Sequence, residues 1–175
     1  MRVADYVIDQ INKAGCEHIF LVTGGGAMFL NDAVAAHGKI KPIINHHEQA
    51  SAMGAVAYAK YNNGLAAVNV TTGCGGTNAS TGLLDAWQDS VPVIFVSGNV
   101  NRPHMAPEGV RNLGVQEANI IDIVKPITKY AVVVNDPEDI EEVMKDAIRI
   151  ATHGRPGPVW VDIPMDVQGA QCFDI

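Results

Sequence analysis

Apolar positions along the chain alternate between two periods. Val3, Tyr6, Val7 and Ile11 recur at helical spacing, and Gly15 follows, which predicts a first helix ending there. "HIFLV" is short and continuously apolar and runs into "TGGGA", so a buried strand turns through glycines into a helix over about Met28 to Ala36. "KPIIN" predicts a second strand and "EQASAMGAVAYAKYN" a second helix stopped at Gly64. "LAAVNVT" leads into "TGCGGTN" as strand and loop, "ASTGLLDAWQD" is helical, and "VPVIFVSG" is a fourth strand. The period then lapses from Asn99 to Ala118, a long irregular loop of the kind that is usually functional or disordered. "KYAVVV" is a fifth strand, Asp136 and Pro137 open a helix as N-cap and first position, and "GPVWVDIP" is a sixth strand.

Strands this apolar, alternating with helices, predict an α/β fold of three α/β/α layers, with a mostly parallel six-stranded sheet covered on both faces. Ligands of such sheets bind beyond the carboxyl ends of the strands. Gly24 to Gly26, Glu48, Gly73 to Gly76 and the long loop all fall on that edge. At 175 residues the chain is expected to form a single domain over 1–175.

Composition narrows the partners. The chain has 12 basic and 19 acidic residues, a net charge of −7, and no basic cluster, which sets nucleic acid aside. No apolar run reaches the roughly 20 residues of a membrane span, and the N-terminus lacks a signal-peptide core. Cys16, Cys74 and Cys172 are odd in number and far apart, so no disulfide framework is expected and the cytoplasm is the expected location.

The chemistry candidates separate unequally. "TGGGA" departs from a dinucleotide fingerprint because Phe29 stands at the third glycine position, leaving a nucleotide site as a lesser alternative. His46 and His47 are adjacent and cannot share a helix face as metal ligands; they are expected as a strand-end pair, one inward and one outward. Cys74 and Ser80 lack a nucleophile elbow. Glu48 stands apart: its own bland role is a solvated acid in a helix's first turn. Yet Ala50, Ser51, Ala52, Gly54 and Ala55 follow at once and let that helix pack closely. A carboxyl in a dry place has its pKa raised, and when protonated it donates a hydrogen bond to a ring nitrogen.

"FLVTGGGA", "HEQASAMGAVAYAK" (47–60), "VTTGCGGTNASTGLLDAWQDSVPVIFVSG" (70–98), "VQEANIIDIVKPITKY" (115–130) and "GRPGPVWVDIPMDV" (154–167) together resemble the N-terminal pyrimidine-binding domain of thiamine-diphosphate-dependent enzymes, in the acetolactate synthase-like branch. That resemblance implies the thiamine-diphosphate-binding fold and an enzyme of decarboxylation or carboligation on a 2-oxo acid. It implies that Glu48 hydrogen-bonds N1′ of the aminopyrimidine and promotes its imino tautomer. Thr72, Gly73 and Gly75 then border that ring, Gly25, Gly26 and Ala27 lie near the thiazolium, and Gln116 faces the reacting carbon. Asn78 belongs to the same pattern and is expected to be structural.

Three departures bear on the substrate: Gly24 and Cys74 stand where relatives have proline, and Val115 where they have an aromatic residue. The family's diphosphate and Mg²⁺ are held by a separate domain with Gly-Asp-Gly and Asn-Asn motifs, and Gly-Asp-Gly does not occur here. No metal site is therefore expected in this chain. It reads as an excised domain or one subunit of a split enzyme, inactive alone, whose partners are a diphosphate-binding domain or subunit and a second copy docked through the Glu48 helix. A non-catalytic or regulatory interaction domain of the same fold is the alternative.

Overall fold

A computed structural model describes residues 1–172. Six parallel strands form one sheet: β1 (His18–Leu21), β2 (Lys41–Ile44), β3 (Ala66–Val70), β4 (Val93–Asn99), β5 (Tyr130–Val133) and β6 (Val159–Pro164). Their order is β2-β1-β3-β4-β6-β5, and every pairing is parallel. All six match the strands expected from the apolar runs. β3, β4 and β6 are buried along their whole length, as central strands covered on both faces must be.

The helices divide between the two faces. α1 (Val3–Lys13), α2 (Met28–His37), α7 (Ile140–Thr152) and the short α8 (Met165–Gly169) enclose one core. α7 shows why it docks there: Ile140, Val143, Met144, Ala147 and Ala151 are buried, one stripe of the helical period. α3 (Glu48–Asn62), α5 (Ser80–Gln88) and α6 (Ile120–Val124) enclose the other core, around the stacked rings of Phe95 and Trp160, 5.0 Å apart and 3° from parallel. α3 brings Ser51, Ala52, Ala55, Val56 and Ala59 to this core. A Cβ added at Gly82 of α5 would overlap that of Ala52, so the two helices meet nearly backbone to backbone.

Four expectations change. β2 is exposed throughout, with Ile44 at 66% of its full surface, so the sheet is covered on both faces only inward of this edge. Lys41 N–H donates to Glu17 O and Asn45 N–H to Leu21 O, which turns Pro42 and Ile44 outward by alternation. "CGGTN" is a short helix, α4 (Cys74–Asn78), rather than loop. Asp136 does cap, accepting from Glu138 N–H at 3.0 Å, but a 3-10 turn over Pro137–Asp139 precedes α7. His46 and His47 are both exposed, because the chain leaves the sheet at Asn45.

Candidate functional site

The carboxyl ends of β1, β3, β4 and β6 converge on one edge. The turn Gly24–Gly26 after β1 is held from three sides: Thr71 Oγ1 accepts from Gly26 N–H at 3.1 Å, Asn31 Nδ2 donates to Gly24 O at 3.2 Å, and Gln168 Nε2 donates to Gly26 O at 2.8 Å. Asn31 is itself fixed by Asn69 Nδ2 of β3, at 2.8 Å. A Cβ at Gly26 would overlap Thr72 Oγ1, so this turn touches the β3 end only because it carries no side chain. Thr72 Oγ1 is buried and has no hydrogen-bond partner among the described residues.

Gly73 follows with φ of 62°, the left-handed region where glycine is unstrained. A Cβ there would overlap the carbonyl oxygen of Gln116, which reaches over from the long loop. Gln116 is also left-handed, at φ 61°, an uncommon conformation for a residue with a side chain.

Glu48, the first residue of α3, retains only 9% of its exposure. Asn78 Nδ2, from the end of α4, donates to its Oε2 at 3.1 Å. A Cβ built on Gly75 would lie 3.5 Å from Oε1, an ordinary contact, so the carboxyl rests against the α4 backbone. Asn78, expected to be structural, is the residue whose side chain holds this carboxylate. Thirty residues separate the two, and only the packing of α3 against α4 brings them together.

The loop from residue 100 to 119 forms one wall of a cleft of about 360 Å³ over the same edge. Gly25, Gly26, Thr72 and Gln116 line it, with Asn99, His104 and Met165 among the others. Glu48, Gly73, Gly75 and Ala27 do not. Glu48 and Gly75 face each other on the far side of the β3 end, Gly73 lies under Gln116, and the Ala27 side chain is fully buried in the first core. The eight expected residues thus share the edge, but four line the cleft.

A second buried carboxylate went unread in the sequence. Asp162, in β6, accepts from Ser97 Oγ at 2.5 Å and from Asn99 Nδ2 at 2.6 Å, and Ser97 Oγ accepts from Trp160 Nε1 at 2.7 Å. Burial pushes the Asp162 carboxyl up to about 7 against the opposing effect of its two donors. The signal was present as polar residues inside otherwise apolar strands, "VSGN" and "VDIP". Among the described residues no three His, Cys, Asp or Glu side chains gather as a metal site, and no helix is long and apolar enough to cross a membrane.

Comparison with known proteins supplies the family. Residues 1–123 match the model "Thiamine pyrophosphate enzyme, N-terminal TPP binding domain". The acetolactate synthase large subunit of Haemophilus influenzae is 38% identical over 93% of this chain and 28% of its own length. The large subunit of Lactococcus lactis is 37% identical over 97% of the chain and 28% of its own length. The chloroplastic acetolactate synthase of Arabidopsis thaliana is 34% identical over 94% and 24%. The chain therefore spans about a quarter of the length of these relatives. A match over most of the chain, on the fold that carries the glycine turns and Glu48 to one sheet edge, means that this chain belongs to the family of N-terminal TPP-binding domains of thiamine pyrophosphate enzymes.

Proposed function

We propose that residues 1–175 form one domain that supplies the aminopyrimidine half of a thiamine-diphosphate site, in an acetolactate synthase-like enzyme acting on 2-oxo acids. The observation that carries this reading is the Glu48 carboxyl, buried at the edge, with one oxygen held by Asn78 and the other against Gly75. The residues fit the group. The glycines at 26 and 73 let the Gly24–Gly26 turn and Gln116 close directly on the β3 end, and the Thr72 hydroxyl at their junction is buried with no protein partner, a polar atom left for a ligand ring to meet. In this reading Glu48 bonds the aminopyrimidine and Thr72, Gly73 and Gly75 border it. The Gly25–Ala27 turn lies beside the thiazolium, with Ala27 contributing backbone alone. Gln116 presents its amide to the substrate. When bound, thiamine diphosphate supplies the electron sink for breaking or making the bond beside a 2-oxo acid's carbonyl.

The diphosphate and its Mg²⁺ belong, in the same reading, to a domain or subunit that carries the family's Gly-Asp-Gly motif, which these residues lack. α3 docks a second copy of the chain. Its outer side exposes Met53 and Tyr61, and a sedimentation run of the full-length protein that found only monomer at micromolar concentration would count against this. Three free cysteines suit a reducing cytoplasm.

The decisive experiment is Glu48→Gln in the full-length protein, with cofactor binding and 2-oxo acid turnover measured separately. Cofactor binding is expected to persist while turnover falls about 10²–10⁴-fold, the usual cost of a lost proton-transfer group. Undiminished turnover would replace this reading with that of a non-catalytic interaction domain.

A further inference from the structure

The long loop is poor in packing. Val110, Leu113 and Val115 all face solvent, Val115 at 86%, so buried apolar contacts do not hold its shape. Its base is fixed by Arg102, whose backbone N–H and Nε both donate to Asp166 of α8, at 3.0 and 2.7 Å. Beyond that base the two limbs are hydrogen-bonded to each other through one side chain. Glu117 Oε1 accepts from Ala106 N–H at 2.5 Å, and Oε2 accepts from Leu113 and Gly114 N–H at 2.9 and 3.0 Å. Gly114 in turn lies so close to Val100 and His104 that a Cβ there would come within 2.8 Å of the Val100 side chain. Val100, His104 and Gly114 all line the cleft.

We propose that Glu117 is a positioning residue: its carboxylate ties the outgoing limb at Ala106 to the returning limb at Leu113–Gly114 and thereby fixes the left-handed backbone of Gln116 over Gly73. The assignment of a substrate-facing role to Gln116 rests on the reading given above; the tie itself does not. Three backbone donors on one carboxylate make charge-assisted hydrogen bonds, stronger than neutral ones. Burial pushes this carboxyl up, but the N–H groups of Ala106, Gly114 and Leu113 outweigh it and hold the group below the ordinary glutamate range, so it is ionised at neutral pH. Gln116 is the third residue of a turn closed by Glu117 N–H donating to Gly114 O at 3.3 Å, and the Glu117 carboxylate, bonded to Leu113 and Gly114 N–H, ties the end of that turn to its start; leaving φ 61° would break the turn and the approach of the Gln116 carbonyl to Gly73.

Amide hydrogen exchange on the full-length cofactor-loaded protein tests this without relying on activity. Glu117→Ala removes all three acceptors, and exchange at Ala106, Leu113 and Gly114 is expected to rise about 10-fold or more while amides of β3, β4 and β6 keep their rates. Glu117→Gln keeps the side chain's shape but only one acceptor oxygen. It is expected to free either Ala106 or the Leu113–Gly114 pair, not both. If neither variant accelerates exchange at any of the three amides, the proposal is overturned. In parallel, Glu117→Ala, Gln116→Ala and the double variant are compared by KM and kcat. The double variant is expected to lose no more than the worse single one, because both act through one group. Parent-like turnover of Gln116→Ala would remove the role given to Gln116 and leave the exchange result to judge the tie alone.

Discussion

On the α1, α2 and α7 side of the sheet, helices bring mostly Ile, Val, Leu and Met to the strands, with four alanines; on the α3 and α5 side they bring mostly Ala, Ser and Gly, with Val56 and Leu83. The strands answer differently too. Along the second face β4 presents Val93, Phe95, Ser97 and Asn99 in succession, and β6 presents Trp160 and then Asp162, so the face turns from apolar to polar toward the edge that carries the cleft. The first face stays aliphatic through Ile94, Val96, Val161 and Ile163, and the polar contacts its helices make with it include half-buried Asn31 with Asn69 and buried Gln168 with Ile163 O. The first face is a core whose stability comes from volume. On the second face the strands carry the volume, in Phe95 and Trp160, while the helices give it up for close approach and so bring backbone, hydroxyls and carboxylates within reach of one another at the site.

Three measurements sharpen that contrast or break it. The largest effect is expected on the aliphatic face. Ile8, fully buried in α1, should cost about 2–5 kcal/mol when cut to Ala, by the lost transfer energy and the cavity left behind, read as a shift in urea midpoint. The next is electrostatic and confined to the polar end of the second face. Because the Asp162 carboxyl is raised from 3.8 to about 7 in the folded protein, the folded state keeps a proton that the unfolded state releases between those values. Stability should therefore fall as pH rises from about 4 to about 7, by at most about 4 kcal/mol, and level off above. Asp162→Asn accepts from Asn99 and donates to Ser97, so it should flatten this contribution and be more stable than the parent, relative to pH 4, once pH passes 7. Parallel stability curves for the two proteins would show that Asp162 is ionised when folded. The smallest is a methyl group at the α3–α5 contact. Gly82→Ala adds a carbon that overlaps Ala52 Cβ and comes within 2.8 Å of Met53 N, and should cost about 1–3 kcal/mol as overpacking. If Gly82→Ala is neutral while Ile8→Ala is not, the second face is not the tighter one.

The same division explains what could be read before any coordinates. Helices of the aliphatic face declare themselves by period: Val3, Val7 and Ile11 in α1 and Ile140, Val143, Met144 and Ala147 in α7 are local patterns. The strands are equally local, being short apolar runs between glycine-rich breaks. The second face is written in small residues, and smallness indicates close packing without saying against what. Glu48 could be singled out because a charge stood beside such residues, but its contact with Asn78 arises from two helices brought together by the fold. α4 contains Gly75 and Gly76 and has little helical propensity of its own; it forms where Gly73 turns the chain and its backbone packs under Glu48 and Trp160. The Ser97–Asp162–Asn99 group needed the parallel register of β4 with β6, which pairs Ser97 with Asp162 directly and is invisible to either strand alone.

Pro42 has a consequence for how these molecules behave at high concentration. An outer strand with open backbone groups is a template on which another chain can add a strand, the first step toward fibres. In β2 the outward row holds Pro42 and Ile44, and proline has no N–H to give. Ile44 is left with the one outward donor of that strand, beside an exposed lysine at position 41. At this edge an incoming strand meets a single outward donor where a regular ladder would use two, so strand addition on the β2 side of the sheet is disfavoured.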